Sequence, residues 1–194
     1  MKKLILTVLI FSAGFMLTAQ AQSKIYATYS YSIAAPVYNQ GVAGGGSFDG
    51  KAASSVGLRY LIKNGKVLSL ETGLEYGFFN YERGPAFYPG LDMTSKSEKL
   101  NLITVPVYAN VTFLKYLFVN GGALVDFEVN KKNTIQKQSG LGFGLGIGGK
   151  LDLGHFSMMV NPFVQRHALI PFEKLGTRQS LMNAGVRIGV GYAF

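Results

Sequence analysis

The sequence predicts an all-β chain, an eight-stranded antiparallel up-and-down transmembrane β-barrel. Three observations predict it. Apolar and polar residues alternate with the period of a strand in eight separate runs. Most runs hold about ten residues or more, the length a tilted strand needs to cross a bilayer, whereas strands of soluble domains centre on five or six. Short and long connections alternate between the runs, as in barrels with tight turns on one side of a membrane and loops on the other.

Residues 103–128 carry the clearest pattern. Ile103, Val105, Val107, Ala109, Val111 and Phe113 alternate with Thr104, Tyr108, Asn110 and Thr112. After a break at 114–116, Leu117, Val119, Ala123, Val125 and Phe127 alternate with Asn120, Gly122, Asp126 and Glu128. These runs form a hairpin, the fourth and fifth strands. Pro106 lies inside the first of them, and because proline removes a ladder hydrogen bond the expectation there is a β-bulge.

The other strands follow in order. The first, 25–35, sets Tyr26, Thr28, Ser30 and Ser32 against Ile25, Ala27, Tyr29, Tyr31 and Ile33. A glycine-rich loop at 36–50 leads to the second, 51–62, with Arg59 opposite Val56, Leu58 and Tyr60, and Asn64-Gly65 then signals a tight hairpin turn. The third, 67–81, places Glu71 and Glu75 on one face and Leu68, Leu70, Leu74 and Phe78 on the other. Residues 82–98 and 130–139 read as long polar loops. The sixth strand, 140–153, has Gly140, Gly142, Gly144, Gly146 and Gly148 on one face, which implies bulky side chains from other strands crossing the lumen towards it. The seventh, 156–168, turns Asn161, Gln165 and His167 inward. The eighth, 180–194, sets Gly185, Arg187, Gly189 and Gly191 against Ala184, Val186, Ile188, Val190, Tyr192 and Phe194.

Composition narrows the class. Charged residues are 15% of the chain and glycine occurs 25 times, unlike an ordinary soluble domain. Lys2 and Lys3, an uncharged apolar run at 4–17 and Ala19-Gln20-Ala21 have the layout of a secretory signal. The expected organisation is a cleaved signal peptide at 1–21 and a barrel domain at 22–194, exported to the outer membrane of a Gram-negative bacterium. Of 19 basic residues the leader holds two, leaving 17 against 10 acidic, a net charge of +7. Nucleic acid is not the expected partner, since no basic cluster with stacking aromatics occurs. Lipid headgroups and lipopolysaccharide phosphates are. With no cysteine and two isolated histidines, neither a cofactor nor a metal is expected.

The segment Leu102-Ile103-Thr104-Val105-Pro106-Val107-Tyr108, with the later Asn120-Gly121-Gly122-Ala123, resembles the PorT-like outer-membrane β-barrel family of Bacteroidetes. The closing Gly189-Val190-Gly191-Tyr192-Ala193-Phe194 is similar to the C-terminal signal read by barrel-assembly machinery, which makes Tyr192 and Phe194 the assembly signal. The resemblance implies a barrel with no catalytic residues to carry over.

The inward ionisable residues are Arg59, Glu71, Glu75, Asp126, Glu128, Lys150 and Arg187. Isolated charges are costly to bury, so opposite charges should meet across a narrow lumen and plug it, with Asp126 and Glu128 partnering Arg59, Lys150 or Arg187. The expected role is structural and interactive, through outer loops that meet a protein partner; residues 85–89 carry aromatics suited to contact. Three alternatives stand beside it. A small pore would leave the lumen conducting. A lipid-modifying enzyme is suggested by His155-Phe156-Ser157, which resembles the His-x-Ser spacing of lipid A deacylases, although the short-turn position of His155 opposes it. A soluble lipocalin-like barrel would turn its apolar face inward. Mass spectrometry of the exported protein should find Gln22 as the first residue, and retention of residues 1–21 would refute the leader.

Overall fold

A computed structural model of the chain describes residues 23–38, 48–64, 67–83, 96–130, 137–173 and 179–194. Eight strands run in chain order: β1 (Lys24–Tyr38), β2 (Phe48–Asn64), β3 (Leu68–Arg83), β4 (Lys96–Phe113), β5 (Leu117–Glu128), β6 (Gly140–Leu153), β7 (Phe156–Pro171) and β8 (Gln179–Ala193). Each pairs antiparallel with its sequence neighbours, and β1 pairs with β8 from Lys24↔Ala193 to Tyr38↔Gln179, so the barrel closes. Closure leaves no edge, and each strand then has one face towards the lumen and one towards the surroundings.

Alternation assigns the faces as the residue pattern implies. Tyr26, Thr28, Ser30 and Ser32 are buried, whereas Ile33 is 63% exposed and Ile188 52%. The outer wall continues through Leu58, Leu74, Val119, Leu145, Ile147, Val160 and Val190, all exposed. A lipocalin-like arrangement would reverse these faces. The short connections at 65–67, 114–116 and 154–155 share one end of the barrel with Lys24 and Phe194; the long ones at 39–47, 84–95, 129–139 and 172–178 join strands at the other.

Several strands run further towards the loop end than their alternation alone indicates. β1 reaches Tyr38, β2 starts at Phe48, β3 ends at Arg83 and β4 begins at Lys96. Polar and glycine-rich stretches read as loop are here held by the ladder on both sides. The expected turn at Asn64-Gly65, the glycines at 44–46 and the aromatics at 85–89 lie wholly or partly outside the described residues, as does the leader.

Pro106 does not form a bulge. The β3–β4 register is the same before and after it, from Thr72↔Val107 to Glu75↔Thr104, with a gap in the ladder between. The Thr72 hydroxyl donates to the Pro106 carbonyl over 2.9 Å, so a side chain supplies a bond beside the gap. The true irregularities lie elsewhere, between Gly50 and Ala53 on β2 and opposite Gly142, where β7 bulges between Arg166 and Ile170. Within this second bulge Ala168 has φ of 48°.

The β4–β5 turn is tight and strained. Leu114 and Lys115, the first two of the three turn residues, have φ of 51° and 64°, left-handed values that Asn or Gly adopts with less strain. Lys150 N–H donates to Tyr116 O at 2.7 Å and ties this turn to β6. Replacing Leu114 with Asn should raise the unfolding free energy by about 0.5–1 kcal/mol in urea titrations, and a loss of stability would show that the leucine's contacts outweigh its backbone strain.

Candidate functional site

The sheet brings six of the seven predicted ionisable residues into the lumen. Arg59 on β2 stands opposite Gly73 on β3, between Glu71 and Glu75. A methyl at Gly73 would lie 3.0 Å from Arg59 Cδ, so glycine leaves the path along which the guanidinium enters. Arg59 Nη1 donates to Glu71 Oε1 at 2.7 Å, and Nη2 and Nε donate to Glu75 Oε1 at 2.7 and 3.1 Å. The second Glu71 oxygen accepts from Asn110 and Asn120 at 3.0 and 3.1 Å. The Arg59 guanidinium also lies over the Tyr108 ring, 5.2 Å from its centre.

Arg187 on β8 completes this layer less tightly. Its Nη2 sits 3.0 Å from Glu75 Oε1, at ion-pair distance but off the hydrogen-bond line, and its Nε has no hydrogen-bond partner. Nη1 donates to Asn161 Oδ1 at 3.3 Å, and the guanidinium stacks 4.4 Å from the centre of the Phe163 ring. The two arginines therefore share Glu75, and Arg59 makes the better-formed bonds.

Asp126 pairs with neither arginine. The β7 bulge turns both His167 and Ala168 inward, and Asp126 accepts from His167 Nδ1 at 2.9 Å, Thr104 Oγ1 at 2.7 Å and Ala168 N–H at 3.3 Å. His167 Nε2 faces Asn183 Oδ1 at 3.2 Å. The Asn183 amide is oriented by its Nδ2, which donates to Gln165 Oε1, while Gln165 Nε2 donates to the Tyr108 hydroxyl. Both ring nitrogens of His167 thus meet polar side chains, Asp126 on one side and Asn183 on the other. Arg59 and Arg187 therefore face Glu71 and Glu75, while Asp126 is held by hydrogen bonds from His167, Thr104 and Ala168.

Glu128 and Lys150 stand outside that layer. Glu128 accepts the backbone N–H of Gln138 at 2.6 Å and fastens the approach to β6 at the loop end. Lys150 Nζ donates to Thr112 Oγ1 at 2.7 Å near the short turns. Glu128 lies near a strand end, where alternation still names a face but the lumen has given way to its rim, whereas Lys150 lines the interior below the ionic layer.

Apolar side chains fill the lumen towards the loops, contrary to the expectation of a polar interior throughout. Ala34, Ala53, Phe79, Tyr81, Leu100, Leu102 and Leu181 form one buried cluster, with Leu124 also buried. Leu100 and Leu102 precede the stretch whose alternation is obvious, so the β4 extension accounts for part of this layer. Gln138 is fully buried and joins the segment before β6 to β8, its amide accepting from Leu181 N–H and donating to Gln179 O.

At the opposite end a polar floor closes the lumen. Lys24 Nζ and Ser157 Oγ both donate to Asp152 Oδ1 at 2.5 Å, and the Tyr26 hydroxyl donates to Ser157 Oγ at 2.8 Å. Sequence reading passed over Lys24 and Asp152, although the parity of Tyr26 and Lys150 turns both inward. Between floor and ionic layer lies a void of about 10 Å³ lined by Tyr26, Arg59, Glu71 and Asn110, the size of roughly one water. The glycine face of β6 receives the bulk that it implied: Gly144 faces the Tyr108 hydroxyl and Gly148 the Phe118 ring.

His155 and Ser157 are not brought together. The His155 ring stacks on Tyr192 and its Nδ1 donates to Ala193 O at 3.3 Å, whereas Ser157 is fully buried in the floor. Tyr192 and Phe194 face outward beside Phe156.

No protein-family profile matches the chain. No curated protein matches it in sequence. Among solved structures it is similar to the outer membrane protein OprG from Pseudomonas aeruginosa, with 13% identity, TM-score 0.49 and coverage of 90% of this chain and 96% of that one. It is similar also to Ail, the attachment invasion locus protein of Yersinia pestis, with 14% identity, TM-score 0.45 and coverage of 91% and 100%. The N-terminal β-barrel domain of Pseudomonas aeruginosa OprF gives 16% identity, TM-score 0.45 and coverage of 90% and 98%.

Removing one partner of a buried ionic network leaves the others uncompensated. Arg59→Met should lower the unfolding free energy by about 3–5 kcal/mol in urea titrations, and Arg187→Met by less. Equal losses would contradict the unequal bonding of the two.

Proposed function

We propose that this chain is an integral outer-membrane barrel, sealed along its axis, whose work is structural and interactive. One observation carries the reading: a closed barrel shows a continuous apolar outer wall while its described buried charges meet partners inside. A large exposed apolar surface is unfavourable in water and favourable against acyl chains, and a closed barrel leaves no backbone edge unpaired in lipid. The exposed aromatics Tyr116, Phe156, Tyr192 and Phe194 cluster at the short-turn end, where an aromatic belt meets a headgroup layer. The secretory layout of residues 1–21 and the resemblance to PorT-like barrels support export and the same location.

The expected contacts are lipid and lipopolysaccharide around the wall, assembly machinery at Tyr192 and Phe194, and a protein partner for the outer loops. A filled lumen favours this reading over a pore, and the separation of His155 from Ser157 favours it over acyl transfer. The chain should sediment with membranes and show heat-modifiable gel mobility; a fold that is soluble without detergent would refute it. In planar bilayers the protein should give no stable single-channel steps, and reproducible ion-selective steps would overturn the seal.

A further inference from the structure

We infer that the wall near the short turns holds one anionic diacyl phospholipid, with its acyl chains in grooves on either side of the Met158–Val160 ridge and its phosphate beside Lys115. The inference rests on the membrane reading of the wall. It begins with Gly149, the outward position on β6 that lacks a side chain among Leu145, Ile147, Leu151 and Leu153. A methyl built there meets nothing nearer than Tyr116 O at 3.9 Å, so the gap is open and nothing in the fold requires glycine to fit.

Above Gly149 lies a groove of about 650 Å³, walled by Tyr116, Leu117, Leu151, Met158 and Val160, with Lys150 also in its lining and its ammonium bonded to Thr112. That volume falls within the range of roughly 300–1,000 Å³ usual for small-molecule sites. A second groove of about 450 Å³ lies across the same ridge, over Ala27 and between Tyr29, Ile188 and Val190. Both are walled almost wholly by hydrocarbon, which suits two alkyl chains and offers little to a polar ligand.

The charge at the mouth selects the headgroup. Lys115 is exposed on the turn that adjoins the first groove, and the Lys150 N–H to Tyr116 O bond holds that turn against β6. Tyr116, Phe156, Tyr192 and Phe194 lie at the same end, which sets the ammonium at the level where lipid phosphates lie. Asp152, an acidic side chain of this end, is already bound by Lys24 and Ser157. A basic group on the turn at the first groove, with a second apolar groove across the shared ridge, is complementary to a phosphate above two acyl chains.

Native mass spectrometry of the mature chain, released from micelles holding equal phosphatidylglycerol and phosphatidylcholine, tests this. The wild type should retain one phosphatidylglycerol. Gly149→Leu fills the first groove and should reduce retention more than about tenfold. Lys115→Gln should remove a preference for phosphatidylglycerol of roughly fivefold without abolishing lipid retention. Equal retention by wild type and Gly149→Leu overturns the site, as does a protein dimer in place of bound lipid, and equal retention of the two lipids by the wild type overturns the headgroup assignment. Heat-modifiable mobility of each variant separates the two levels: if it persists while lipid retention fails, only this inference falls, and if the wild type lacks it, the membrane reading falls and takes the lipid site with it.

Discussion

Closure of the hydrogen-bond ladder between β1 and β8 is the constraint on which everything else depends. A closed sheet gives every residue one of two destinations, and a side chain cannot escape by moving to an edge. Glu71 and Glu75 share the inner face of β3 because they are four residues apart, and neither can turn away. Arg59 answers both because the ladder sets it against Gly73, the one position between them with no side chain. The ion network is thus a consequence of register, and register follows from keeping the apolar face outward.

A buried ionic cluster of this sort is weak evidence of net stabilisation, since desolvation offsets much of the attraction. Its clearer effect is on arrangement. A one-residue slip of β2 against β3 would carry Arg59 to the wall, leaving Glu71 without its arginine and Glu75 with only the looser Arg187. The charges therefore penalise wrong registers more than they stabilise the right one.

The faces of the strands were legible in the residues because period two is a direct image of a pleated sheet. Arg59, Glu71, Glu75, Asp126 and Arg187 could be placed inside from parity alone. Their pairings could not, since parity says nothing of height or azimuth within the lumen. Asp126 meets His167 because β7 bulges, and the bulge has no signal in the sequence, whereas Pro106, which has one, leaves the register unchanged. The apolar layer was hidden for another reason: Leu100 and Leu102 fall between the expected loop at 82–98 and the alternating run from 103, and Tyr81 and Leu181 sit at the ends of their strands, where parity places them inside but an apolar residue among polar neighbours gives no sign of a shared layer.

That apolar layer has an electrical consequence. It separates the ionic network from the loop side by a slab of low polarisability, across which a hydrated ion would have to shed its water without finding replacement ligands. The barrel interior is in that sense a charged layer insulated on one side, with the insulation supplied largely by leucines.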